Sequence, residues 1–504
     1  MVQVIPVGFR GQRSVSGPLT VGQLNVAKWL ADAPDAPAAQ LHQHLPVPPG
    51  TTLDAVVAAL GALVGRHEGL RSRYVLADPG AQEVRATGTV PLTVGPSAAP
   101  GGVSADEPVR FAATVSGGFV TELAAAYSHI AVDFQALMVL EREFGDLLRG
   151  VALPDVELQP LDRAEAERSP ARRRRQEQAL RHWFRHVEAA PAHLYARPRV
   201  AAAGGSGACG MSSAAAARAL DRIAARTRVS RPTIVLAAWC ALLSRRSAYD
   251  ICRFVMLSAN RFESGLRDFV GTLAQATFVA VDTAGAGFDE LVRRAFGAVL
   301  QAGVHGAYHV YRQDEGTRTR MAARGVAPSF EPMFNSVIVD TRGFDVPAVA
   351  AEPPPTDLLW VEMPPTNILL RFDLGRADDL MVARVWTGDT GRVSPAEAQE
   401  LLLALERLLL AAAGRDLDAP EIAAALAMAP LDRPPGWQLV DGCWVDLAEV
   451  QRLVDDALGP RVARVDGPGL TAVVSSMSPE EAHRRCLELL PGRHAAMVPR
   501  FTRA

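Results

Sequence analysis

One stretch limits the possible folds of this chain more than any other. Phe119 to Ala126 alternates loosely between apolar and polar residues, the pattern of a half-buried strand. Leu137, Leu140, Phe144, Leu147 and Leu148 then recur at helical spacing. Between the two lies Tyr127-Ser128-His129-Ile130-Ala131-Val132-Asp133-Phe134. His129 therefore stands where a strand ends and a helix is about to begin. Asp133 falls at the expected helix start, where a carboxylate suits the N-terminal dipole. An imidazole at such a junction can project from rigid elements into a cleft. The plainer reading of a lone histidine beside apolar residues is a packed or surface group, so the rest of the chain has to decide.

Further elements of both kinds follow. Leu53, Val56, Val57, Leu60, Leu63 and Val64 form the apolar stripe of a helix that Thr51 or Thr52 can cap. Helices are expected over Ala214 to Thr227, from Ser230 to about Leu243, over Phe288 to Val304 and over Pro395 to Ala413. Tyr249 to Met256 reads as a strand, and Glu331 to Asp340 as a loop feeding a strand. Trp437 to Leu447 suggests two strands joined by a turn at Asp441-Gly442. Pro191 to Gly210, rich in Ala, Gly and Pro, reads as a linker. Helices mixed with antiparallel-looking strands predict a layered α/β or α+β class.

A chain of 504 residues is too long for one ordinary core, so about two to four domains are expected. The divisions read from the sequence are 1–190, 191–430 and 431–504. A net charge of -3 offers no global basic field for nucleic acid. Arg172 to Arg175 is the one basic run singled out, and it reads as a solvated helix face. Cys209, Cys240, Cys252, Cys443 and Cys486 are scattered, with no CxxC pair, which fits a reducing cytoplasm and argues against a zinc site. No signal peptide and no membrane-spanning apolar stretch is evident, so neither export nor a membrane partner is expected. Lys28 is the only lysine, so any mechanism needing a catalytic lysine outside the N-terminal region is excluded.

Several separate segments, taken in order, resemble motifs of the condensation domains of nonribosomal peptide synthetases, over residues 14–415. They are Leu19-Thr20-Val21-Gly22-Gln23 ahead of Trp29-Leu30, Arg66-His67-Glu68-Gly69-Leu70-Arg71, Ser128-His129-Ile130-Ala131-Val132-Asp133-Phe134, Asn260-Arg261 with Val270-Gly271, and Phe334-Asn335. The resemblance implies two chloramphenicol-acetyltransferase-like lobes in a V, with a tunnel between them. It implies His129 as the catalytic base and Asp133 as a structural carboxylate paired with Arg261. Gln275 and Asn335 are placed along the substrate path. No cofactor and no metal is implied. The acyl or aminoacyl donor would arrive on the phosphopantetheine arm of a separate carrier protein and be joined to a small amine or hydroxyl acceptor.

Departures from the motif bear on the site. Ser128 stands where the family has a first histidine, and Phe134 where it has glycine. The Ser-His-x-x-x-Asp pattern resembles that of terminal cyclising condensation domains of fungal synthetases. Those carry Ser or Thr three residues after the Asp, whereas this chain has Ala136. Ser128 as a nucleophile has no identified oxyanion hole or orienting acid to support it. Through Val445-Asp446-Leu447-Ala448-Glu449-Val450, Leu470-Thr471-Ala472-Val473-Val474, and Leu490-Pro491-Gly492-Arg493 with Met497-Val498-Pro499, residues 431–504 resemble the small C-terminal subdomain of adenylate-forming enzymes, without its catalytic lysine. Three functions stay open: a free-standing condensation enzyme, a non-catalytic recruitment domain, and a coenzyme A-dependent acyltransferase of the same superfamily.

Overall fold

The computed structural model describes residues 2–32, 39–76, 79–199, 204–327, 331–336, 356–366, 368–466 and 469–503. The chain divides into two compact units. The first comprises residues 1–180, 258–275 and 304–313; the second comprises 181–257, 276–303 and 314–504.

The first unit is built on a five-stranded sheet. Its strands lie in the order Gln3–Arg10, Thr87–Gly95, Val109–Ser116, Phe119–Ser128 and Gln40–His44. Thr87–Gly95 and Val109–Ser116 run parallel, and the other neighbours are antiparallel. The helix Leu53–Arg66 packs on Gln3–Arg10 and on the helix Phe134–Leu148. Thr52 caps it: the side-chain oxygen accepts from the Ala55 N–H at 3.3 Å. Its buried stripe of Val56, Leu60, Leu63 and Val64 follows the sequence periodicity. Each fully buried side chain of this size contributes about 1.5–3 kcal/mol of transfer free energy, and that burial fixes the helix against the sheet. A smaller antiparallel sheet joins Val15–Pro18, Ala81–Val84 and Ser72–Val75.

The second unit holds a seven-stranded mixed sheet. Its order is Gln275–Asp282, Ile251–Ser258, Met333–Ser336, Arg371–Ala377, Met381–Thr387, Ser206–Ser213 and Asp357–Met363. Phe372 is central to its core, stacked on Phe334 at 5.4 Å and tilted against Trp239 at 4.7 Å between ring centres. The helices Ala214–Thr227 and Phe288–Val304 have the predicted limits. The strand expected at Tyr249 to Met256 instead runs Ile251–Ser258. Ala248, in the left-handed conformation at φ 61°, closes the preceding helix with its N–H on the Ser244 carbonyl, so the chain turns before it extends.

The expected linker 191–210 ends inside a strand, Ser206–Ser213, with paired neighbours on both sides. At Gly207 smallness is a packing requirement. A Cβ on Gly207 would lie 2.1 Å from the Trp360 ring of the adjacent strand. In the C-terminal segment Asp441 and Gly442 both have positive φ, 45° and 71°, and join Trp437–Val440 to Cys443–Asp446 as a tight hairpin. The helices Leu447–Leu458 and Pro479–Leu489 and the strands Val465–Asp466, Thr471–Val474 and Arg500–Arg503 complete it. The expected strand residues 337–340 lie outside the described residues. Among the described residues no helix is long and apolar enough to cross a membrane.

Candidate active site

The strand Phe119–Ser128 ends at Ser128, whose N–H reaches the Pro108 carbonyl at 2.8 Å and whose carbonyl accepts from Ala131 at 2.9 Å. His129 sits in the resulting turn. Its N–H donates to the Ala39 carbonyl at 2.9 Å, extending the edge-strand pairing by one bond. Asp133 then caps the helix Phe134–Leu148, accepting from the Ala136 N–H at 3.0 Å. The Ala136 position therefore supplies a main-chain donor to the cap and no hydroxyl to the site.

Asp133 is the fixed point of this turn. It is 2% exposed. One oxygen accepts from Ala136 and from Arg261, and the other accepts from the Leu273 N–H at 3.0 Å. The Arg261 guanidinium also donates to the carbonyls of Leu266, Phe269 and Gly271 at 3.2, 2.9 and 3.2 Å. A buried carboxylate and guanidinium, each also bonded to main-chain groups, form a rigid joint, although the Arg261 Nε is left without a partner; removing one partner from such a pair costs about 3–5 kcal/mol. The neighbouring Asn260, at φ 53°, donates its amide to the Leu273 and Gly306 carbonyls at 2.8 and 2.9 Å. Segment 258–275 is thereby laced to the His129 turn from several sides.

The His129 ring is partly buried and meets Trp29 edge to face at 6.0 Å between centres. Its carbonyl accepts the hydroxyl hydrogen of Thr272. Its Nδ1 is buried with no hydrogen-bond partner in the protein. The Tyr127 hydroxyl and the Arg261 Nε are likewise buried without a partner, so His129 Nδ1 is one of several polar atoms of this region that a water or a ligand can satisfy. Chemically, an imidazole with a free ring nitrogen can take a proton from a nucleophile as it attacks.

The other expected residues have definite places. Ser128 is buried beside His129. Phe134, at the first helical position, is half-buried and packs on the core of the first unit. Gln275 is fully enclosed, and its amide pairs both ways with the Tyr308 main chain, at 3.0 and 3.3 Å. Both ends of that amide thus hold the 304–313 segment. Asn335 is buried in the second unit, on the strand Met333–Ser336 opposite Asp373. The structure thus brings His129, Ser128, Asp133, Phe134 and Arg261 together in one unit.

Two contributors carried no assigned role in the sequence. Thr272 directly follows the Val270-Gly271 segment, but nothing local distinguishes its hydroxyl. Trp29 lies on the helix Val21–Asp32, whose start did carry a signal. Thr20 and Gln23 form a reciprocal cap, with the Gln23 N–H on the Thr20 hydroxyl at 3.0 Å and the Thr20 N–H on the Gln23 side chain at 2.9 Å. Gly22 lets that helix start approach the site loop. A Cβ there would lie 2.3 Å from the Thr272 carbonyl oxygen.

Arg66-His67-Glu68-Gly69-Leu70-Arg71 forms scaffold contacts beneath the turn. Glu143, on the helix that Asp133 caps, accepts from Arg66 at 2.8 Å and from His67 at 2.6 Å. Burial pushes His67 below its ordinary value, against the pull of Glu143. Burial raises Glu143, but the bonds from His67 and Arg66 outweigh it and leave its carboxyl below the ordinary value. Arg71 donates to the carbonyls of Gly65 at 3.1 Å, Arg13 at 3.1 Å and Arg85 at 2.5 Å.

No family model matches the sequence, and no curated protein matches it. Solved structures do. The condensation domain that mediates chain release from the enacyloxin polyketide synthase matches with a TM-score of 0.61 and 20% identity, over 84% of this chain and 86% of that one. The fold is that of the condensation domains. The X-domain from teicoplanin biosynthesis, also known in complex with OxyB, matches with a TM-score of 0.61 and 20% identity, over 82% of this chain and 98% of its own. The first condensation domain of the CDA synthetase matches at 0.56 and 17%, over 82% and 99%.

Proposed function

We propose that the protein is an acyl-transferring condensation enzyme of nonribosomal peptide or related natural-product biosynthesis, with His129 as its base. The observation that carries this reading is the unpartnered, buried Nδ1 of His129 on a turn held by Asp133, Arg261 and Thr272. The donor is an acyl or aminoacyl thioester on the phosphopantetheine arm of a separate carrier protein. The acceptor is a small amine, or a hydroxyl. The acceptor nitrogen attacks the thioester carbon while the imidazole takes its proton. The C–N bond forms, the C–S bond breaks, and the departing thiolate recovers the proton. General-base assistance of this kind contributes about 10²–10⁴-fold. The test is His129→Ala in an assay with acyl-loaded carrier and amine. Product formation is expected to fall by about that factor, and an unchanged rate would remove His129 from the chemistry. Repeating the assay with acyl-coenzyme A as donor separates a carrier-dependent enzyme from a coenzyme A-dependent one.

A second reading is favoured by the bulky Phe134 at the head of the helix and by the likeness to an X-domain that binds OxyB. In it the chain recruits a partner enzyme or carrier without chemistry. Residues 431–504, with no lysine for adenylation, suit docking under either reading. Turnover by the purified protein on defined carrier substrates rules out the second reading; tight carrier binding without turnover supports it.

A further inference from the structure

We propose that His193, Glu331 and His494 form a zinc-binding site with one coordination position open to the adjoining cavity. The site lies within the second unit and goes beyond the proposed acyl transfer. The three residues come from segments far apart in sequence. Their donor atoms nevertheless all fall within 4.8 Å of one another.

The spacing is the central observation. His193 Nδ1 lies 3.4 Å from Glu331 Oε2 and 3.4 Å from His494 Nδ1. Both distances are long for hydrogen bonds, which centre on about 2.9–3.0 Å. Ligands about 2.0–2.1 Å from a tetrahedral zinc ion lie about 3.3–3.4 Å from each other. The two Nδ1 atoms lie against each other and His193 Nδ1 lies against Glu331 Oε2, an arrangement in which one cation can be bound by all three donors.

The surroundings suit such an ion. Side-chain exposure is 11% for His193 and 9% for Glu331. The other Glu331 oxygen accepts from the Leu369 N–H, which leaves Oε2 directed at His193. Two imidazoles and one carboxylate are a borderline donor set that suits zinc rather than magnesium or calcium. Three protein ligands leave a tetrahedral ion one free position. All three residues line a cavity of about 800 Å³, wide enough for a water or a larger ligand on that position. His494 follows Leu490-Pro491-Gly492-Arg493, so the ion would tie the C-terminal segment to the residues preceding the strand Met333–Ser336.

The test uses the full chain without a polyhistidine tag, stripped with chelator. Zinc is titrated by calorimetry, and bound metal is counted by elemental analysis. One zinc per chain is expected, together with a raised unfolding temperature. Cobalt(II) in its place is expected to give the visible absorption of a tetrahedral site. His494→Ala and Glu331→Gln are each expected to lower zinc affinity by about 100-fold or more, at least what loss of an outer partner costs. His44→Ala, an exposed histidine elsewhere, is expected to leave it unchanged. Absence of stoichiometric zinc, an octahedral cobalt spectrum, or wild-type affinity in Glu331→Gln overturns the site. Glu331→Gln keeps the shape of the residue, so the test stands even where His494→Ala fails to fold.

Discussion

Thr272 donates its hydroxyl hydrogen to the main-chain carbonyl of His129, across 143 residues of sequence. The next residue, Leu273, donates its N–H to Asp133. One short loop therefore holds both the residue proposed to act on substrate and the carboxylate that caps the following helix. Replacing Thr272 with Val keeps the shape and leaves the His129 carbonyl unpaired. The expected loss is about 1–3 kcal/mol in urea unfolding, with a lowered kcat in the acyl-transfer assay. An unchanged kcat would show that this bond does not position His129.

Asp133 and Arg261 are expected to behave as one unit. Asp133→Asn and Arg261→Met should each lose about 3–5 kcal/mol, since each leaves its partner buried and uncompensated. The double variant should lose less than the sum of the two, with a coupling of about 0.5–3 kcal/mol. Additive losses in a denaturant double-mutant cycle would show that the pair makes no net interaction.

Gly22→Ala probes the approach of the Val21–Asp32 helix to the Thr272 loop. The added Cβ would lie 2.3 Å from a main-chain oxygen, and main chain cannot swing aside as a flexible side chain does. A loss of about 1–3 kcal/mol is expected from overpacking. Unfolding midpoints within error of the parent would mean that the helix start shifts freely.

Stability should fall toward acid pH from two linked groups. His67 is held below its ordinary value of 6.5, so the unfolded state takes up a proton first, and stability declines once the pH drops below about 6.5. Glu143 is held below its ordinary value of 4.5. Its contribution is fully present above about 4.5 and is lost as the pH falls through the lower folded value. Urea midpoints across pH should therefore be flat above neutrality and fall in two stages. Burial also holds His494 down at about 4, so His67→Gln should shrink the upper stage without abolishing it and leave the lower one. An upper stage of undiminished size in that variant would assign it wholly to other groups.

Local features were legible because their causes lie within a few residues. The strand-to-helix handover at 119–148, the cap at Asp133, the cap at Thr52 and the Asp441-Gly442 turn each depend on side chains and φ angles close by in sequence. Where local reading failed, a distant side chain decided. Residues 206–210 look like linker because they are small and rich in Ala and Gly, yet they lie inside a sheet, where Trp360 leaves no room for a Cβ at Gly207. The ligand set proposed at His193, Glu331 and His494 likewise has no sequence spacing to recognise.

The sequence by itself determined the elements of the first unit around the site, the ordered motif segments and the candidacy of His129. Tertiary structure alone decided that the His129 ring meets Trp29, that its carbonyl is held by Thr272, and that Asp133 closes on Arg261 and Leu273. The physical reason is range. Helix caps and hydrophobic periodicity act over about one to four residues. A hydrogen bond spanning 143 residues exists only once burial has brought the two chain segments together.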